Sequence, residues 1–439
     1  MTIQFEIERF ESESVQNSLG EYWMRAPEQI QLLNRFVFLD WASARVLAGW
    51  VPAAEEFEWK CKMSRFLWQD MKNAEKLRAR KEELSGNAKV FIPSEKLKLF
   101  VQEVPAADGF FAFIAGWFLE VKKGVIDAYE RYLEALDPIF DAPTLEIFED
   151  ILPKKRKQLA WGQRLIHDTV KDPKMLESVG RWRKYTRQYL LYLGGIDERQ
   201  PSSSNKPASP IFEPYGPAPV KRSKPKWLKH AELVEAPEQF RDNLKIFMWH
   251  YATEIQVVDP MCYVFYGVDD MPFEFYVDFS RHIWDESRHH QMGARRLQQM
   301  GYDLRDIPLP YQDDPIKLLE EYYEDLTMIG ESCSFTRKKK SMEAYYAKGD
   351  ILSGMTAEID IVDERSHVKF GKKWVPVMHS QRLGDDSNLD DIVRGILDRW
   401  MNKIKEAGLT ELTGPEDKSI SHFAFCGKVE FRNLNFDKL

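Results

Sequence analysis

At 439 residues the chain is long enough to bury two cores or one large duplicated body. Its formal charge of −8, with no basic stripe, argues against nucleic acid or an anionic membrane as the main partner. Four scattered cysteines form no C-x-x-C, the acidic start lacks the order of an export signal, and the apolar runs fall short of the ~20 residues of a membrane span. The expectation is a cytoplasmic protein.

From Pro27 onward, apolar residues recur three and four apart in PEQIQLLNRFVFLDWASARVLAGW and in EEFEWKCKMSRFLWQDMKNAEKLRARKEEL. That spacing predicts two long helices, the second stopped at Gly86. A third run covers roughly 108–136. A fourth covers roughly 143–170, where Pro153 should kink or interrupt the helix and Lys154–Lys157 form a basic patch. The helical piece LESVGRWRKYTRQYLLYLGG leads into the Pro/Ser-rich ERQPSSSNKPASPIFEPYGPAPVKRSKPKW, a linker or strapped loop. Helical periodicity returns in four runs, roughly 236–261, 272–300, 315–347 and 350–371. The tail HFAFCGKVEFRNLNF alternates like extended chain, and its His422 and Cys426 read as structural. An all-α organisation follows, with a bundle over 20–175, a linker over 176–235, a second bundle over 236–400 and a tail over 401–439.

The second bundle carries the chemistry. WDESRHHQMGARRL places Glu286 and His289 three apart, and DIVDERSHVKFGKKW repeats the spacing with Glu364 and His367. Positions i and i+3 share a helix face, so each pair can aim a carboxylate and an imidazole at one point. A dinuclear carboxylate site in a four-helix bundle also needs one glutamate from each of two further helices. Glu254 in KIFMWHYATEIQVV and Glu331 in LTMIGESCSF supply them from mostly apolar surroundings. Glu254 precedes Glu286 by 32 residues and Glu331 precedes Glu364 by 33, the matched spacing of two helical hairpins. Six expected ligands result: Glu254, Glu286, His289, Glu331, Glu364 and His367.

Asp285 and Asp363 precede the ligand glutamates and lie four before the ligand histidines, placed to accept an imidazole N–H. The spacing does not say which histidine each serves. His282, Asp360 and His250 lie four before Glu286, Glu364 and Glu254, and are candidate extra ligands, proton carriers or pocket walls. His290 reads as outer-layer or surface. Thr327, four before Glu331, is a candidate proton-transfer hydroxyl or a threonine bonded to its own backbone.

The constellation resembles the ferritin-like di-iron carboxylate superfamily, and D-E-S-R-H is similar to the D-E-x-R-H helix of bacterial multicomponent monooxygenase hydroxylases. The resemblance covers about 231–374. It implies a ferritin-like four-helix bundle, two irons on the six residues above, and dioxygen activation. Manganese in one or both positions is compatible with the same ligands.

The first half reads as a worn duplicate, making the fold two ferritin-like bundle halves. SRFLWQDMKNAEKLRAR aligns with SRHIWDESRHHQMGARR at an offset of 216, placing Asp70 on Glu286 and Asn73 on His289. KRKQLAWGQR aligns with ERSHVKFGKK at 209, placing Lys155 on Glu364 and Gln158 on His367; Ala44 and Ala115 fall on Glu254 and Glu331. Such residues cannot replace the ligand set, so this half is expected to hold no metal, with Lys155 near Asp70.

The leading expectation is an oxygen-activating oxidoreductase, an oxygenase or oxidase of a small organic substrate, as monomer or homodimer. No nucleotide loop, flavin fingerprint or C-x-x-C appears, so electrons would come from an external donor or the substrate. Iron handling by a ferroxidase, and a helical interaction protein with a structural dimetal site, are the alternatives.

Overall fold

The computed structural model describes residues 23–210, 228–230, 238–241, 244–307, 309–311 and 319–406. Much of the Pro/Ser-rich strap and the whole 407–439 tail, with His422 and Cys426, lie outside the described residues. Among those described, the architecture is all-helical and two-lobed. The one addition is a parallel pairing of two three-residue strands, Leu228–His230 with Leu309–Tyr311.

In the first lobe, Ala26–Trp50 is buried on every face from Leu32 to Trp50, as a helix apolar nearly all round must be. The next helix, Phe57–Ser85, stops where expected: Gly86 adopts φ +67° and its N–H bonds the Glu82 carbonyl at 2.7 Å. Phe110–Ile114, a π-helical stretch Ala115–Val121 and Lys122–Glu134 run on as the third. The fourth, Ala142–Thr169, corrects one expectation, because Pro153 does not interrupt it. Pro153 and Glu149 both face solvent, so water can serve the carbonyl that the missing N–H leaves free.

A second difference concerns Pro173–Leu193, which the sequence places largely in the linker. It packs into the first lobe, with Trp182 donating to the Val104 carbonyl at 3.1 Å. Gly116 makes that approach feasible, since a Cβ there would sit 2.6 Å from the Trp182 ring.

The second lobe contains Lys245–Thr253 and Ile255–Gly267, then Phe273–Gln299. Leu319–Glu324, a π-helical Asp325–Gly330 and Glu331–Ala347 follow, and Ile351–Met378 completes the four. Leu389–Glu406 lies beyond them. No helix is long and apolar enough to cross a membrane among the described residues.

The lobes meet along Phe57–Ser85 and Phe273–Gln299. Trp68 stacks on Trp284 with ring centroids 4.2 Å apart. These two positions are separated by 216, the same offset that relates Asp70 to Glu286. A contact between two residues at that offset is what an isologous, two-fold-like packing of related halves would produce. Lys60 anchors the interface through Asp259 at 2.9 Å, with both side chains buried.

Candidate metal centre

Each lone glutamate of the second lobe sits where its helix departs from α geometry. Glu254 occupies the break between Lys245–Thr253 and Ile255–Gly267, and Glu331 follows the π-helical turn directly. Such irregularities re-aim a side chain that a regular helix would point elsewhere. Gly293 lets Phe273–Gln299 approach closely, since a Cβ there would lie 2.5 Å from the backbone of Met248 and Ala252.

The four helices gather two groups of donor atoms. One comprises His282, Glu286, Glu331 and His367; the other comprises Glu254, His289, Asp360 and Glu364. All six residues expected from spacing converge, and two of the three candidate extras join them. His282 Nε2 lies 3.0 Å from Glu331 and 3.4 Å from Glu286, and Asp360 Oδ1 lies 3.3 Å from His289 Nδ1. His250 joins neither group; its ring packs against Trp249 and Phe247. Each E-x-x-H pair is divided, glutamate to one group and histidine to the other.

The aspartates cross the bundle. Asp363 Oδ2 lies 3.3 Å from His289 Nε2, and Asp285 Oδ2 lies 3.4 Å from His367 Nε2. Arg288 bridges both aspartates and Arg281 pairs with Asp285 at 2.7 Å. With Nε2–H directed at an aspartate, each imidazole turns Nδ1 inward, a tautomer assigned from this network.

The donor chemistry fits divalent cations. The Nδ1 atoms of His289 and His367 and oxygens of Glu254, Glu286 and Glu364 are buried without a hydrogen bond. They face one another, so either protons or a cation must separate their lone pairs. Imidazole nitrogen with carboxylate oxygen suits iron or manganese. Burial and the nearby charges set the proton balance. Burial pushes Glu254 up to about 7 against the pull of Lys338 and His289. For His367 burial acts downward, but Asp285 and Glu331 outweigh it and raise the imidazole to about 9. A metal ion would compete with protons for these same lone pairs.

Three features escaped the sequence. Lys338, two turns beyond Glu331, directs its ammonium into the second group, bonding Asp360 at 2.9 Å and Glu364, with Glu254 at 3.7 Å. Tyr251 stands beside Asp360 and Glu254, and Tyr322 near Glu286 and Glu331. Burial first, then those carboxylates, raise both phenols far above their ordinary range, so they stay protonated. Thr327 donates to the Tyr323 carbonyl at 2.8 Å, and so bonds its own helix. His290 is buried, its Nδ1 bonded to the Ala252 carbonyl at 2.6 Å.

In the first lobe, the ammonium-bearing residues Lys122 and Lys155 are buried. Lys155 pairs with Asp70 at 2.8 Å and with Asp40, while Lys122 pairs with Asp70 at 2.7 Å and donates to Gln158 Oε1 at 2.7 Å. Lys155 is thus buried, and not part of a solvated basic face. Asn73, Ala44 and Ala115 are buried as well.

An all-helical protein with two His/carboxylate clusters consistent with a ferritin-like di-iron site is the class that this fold defines. The chain belongs to the family described as Protein of unknown function (DUF455), whose model matches residues 196–415, half of its length. No curated protein and no solved structure matches it.

Proposed function

We propose that the second lobe is a dimetal oxidoreductase centre, most naturally di-iron, that activates dioxygen to oxidise a small organic substrate. The observation that carries this reading is the pair of buried four-donor clusters with aspartate-braced histidines. Clamping a bundle needs no such orientation of imidazoles. His282, Glu286, Glu331 and His367 would hold one ion, and Glu254, His289, Asp360 and Glu364 the other. Two bound irons in the divalent state would supply electrons to dioxygen.

The chain's own residues supply the rest. Asp285 and Asp363, held by Arg281 and Arg288, orient the imidazoles and keep them basic. Phe279 and Tyr323, edge to face at 5.0 Å, help wall the His282 side against water. Tyr251 and Tyr322 retain phenolic protons beside the carboxylates. Glu254 is 20% exposed at its side chain while the other donors are at most 5% exposed, which makes it the donor nearest to solvent.

The test is anaerobic loading of the metal-stripped full chain with Fe(II), metal analysis, and exposure to oxygen with a chemical reductant present. About two ions per chain and sustained oxygen consumption are expected. Bound metal without oxygen consumption would favour a structural site. Oxygen uptake that tracks added Fe(II) and leaves ferric deposits would favour iron handling.

A further inference from the structure

We propose that Lys338 is a built-in cation that guards the second metal position, so that the two ions bind in order and with unequal affinity. This rests on the dimetal reading above.

The two groups of donors differ in one respect. Among the described residues no lysine or arginine pairs with the His282–Glu286–Glu331–His367 group, whereas Lys338 reaches three of the four members of the other. Lys338 is buried, 5% exposed, with its ammonium among these carboxylates. An ammonium bonded to Asp360 and Glu364 uses the oxygens that a metal ion in that group would need. Both cannot occupy the same oxygens at bonding distance.

Charge explains why the lysine is tolerated. Five carboxylates converge on the centre, Glu254, Glu286, Glu331, Asp360 and Glu364, and a single ammonium offsets one of them. The remaining charge matches two divalent ions. Lys338 therefore has to leave the donor oxygens when the second ion enters, but not the neighbourhood. The Tyr251 ring, 5.7 Å from Nζ, offers a face on which the ammonium can rest.

The first lobe also places ammonium groups on its buried carboxylates. Lys122 precedes Lys338 by 216, the offset that relates Asp70 to Glu286 and Trp68 to Trp284. Lys122 reaches Asp70 and Gln158, the counterparts of Glu286 and His367. Lys155 brings a second ammonium onto Asp70. One lobe thus places two lysines among its carboxylates, and the other places one.

The experiment is equilibrium dialysis of the metal-stripped full chain against Mn2+, with bound metal counted per chain, for the native protein, Lys338→Met and Lys338→Gln. The native protein should take up one ion tightly and the second at least about tenfold more weakly. In the variants the second step should tighten by at least about tenfold. One ion in the native protein and two in a variant is the limiting form of the same result. Lys338→Gln keeps a hydrogen-bond donor, and serves if the methionine variant fails to fold; the native curve alone overturns the proposal if both ions bind with one affinity. An unchanged second step in the variants, or one ion in all three proteins, also overturns it while leaving the first site standing. No bound ion in any of the proteins would instead overturn the dimetal reading itself.

Discussion

Asp285 Oδ2 lies 3.4 Å from Nε2 of His367, a histidine on the opposite E-x-x-H helix, and not beside its own helix's His289. The crossing ties Phe273–Gln299 to Ile351–Met378 below the donors. Asp285→Asn should therefore weaken metal binding about 10–100-fold. In a double-mutant cycle on Mn2+ affinity, Asp285 should couple to His367 and much less to His289. Equal coupling to both histidines would refute the crossed arrangement.

His282 stacks on His367 with ring centroids 3.7 Å apart and faces Glu331 and Glu286. Loss of its imidazole removes one of four donors from the less obstructed group. His282→Ala should lower affinity for the first Mn2+ ion and alter the spectrum of a Co2+-substituted protein. An unchanged spectrum would return His282 to the wall of the site.

In the first lobe, Lys155→Met leaves Asp40 and Asp70 with less cation than carboxylate in a buried setting. Removing one partner of a buried pair costs roughly 3–5 kcal/mol, so urea unfolding should shift by that order. Metal stoichiometry in the folded variant should be unchanged. A stability change within experimental scatter would show that the pairing carries no weight.

Acid should find the same cluster. Burial alone would raise the Asp70 carboxyl, but Lys122 and Lys155 outweigh it and hold it well below the carboxylate range. Its stabilisation is complete above the unfolded value of about 3.9 and is lost as pH falls through the lower folded value. The urea midpoint of the metal-stripped protein should fall as pH drops from about 5 to about 3. Asp70→Asn should be less stable at neutral pH and change less across that window.

Cys61 reports on lobe docking. Burial pushes its thiol up to about 12, and its sulfur meets the Ser287 carbonyl of the other lobe at 3.5 Å. Iodoacetamide at about pH 8 should leave it unlabelled in the native protein and label it in urea, read by mass spectrometry. Rapid native labelling would mean that the lobes part readily.

The helices and six donors were legible because both obey local rules: apolar residues at helical period, ligands at i and i+3, hairpins of matched length. What the sequence could not give depends on partners far along the chain. Pro173–Leu193 joins the first lobe through Trp182 against Gly116 and Val104, a fit with no local trace. The helix break at Glu254 and the π-turn before Glu331 answer to packing and not to composition. Asp285 and Asp363 were visible, but their crossing is a property of two helices at once. Lys338 looked like one of the lysines in TRKKKS, whose usual place is solvent. Only its register with Glu331 and Lys122 sets it apart.

The first lobe carries its counterions covalently. Lys122 and Lys155 arrive with the chain, so Asp40 and Asp70 are matched as soon as these helices meet. On the dimetal reading, the second lobe gathers most of its positive charge from solution. During synthesis the earlier half emerges first and can finish folding before any ion is acquired. The Phe57–Ser85 face, with Lys60 and Trp68 in place, then presents a firm surface for Phe273–Gln299. On the dimetal reading, the lobe that lacks the ligand set serves as an internal mould, shaping the second lobe before metal arrives.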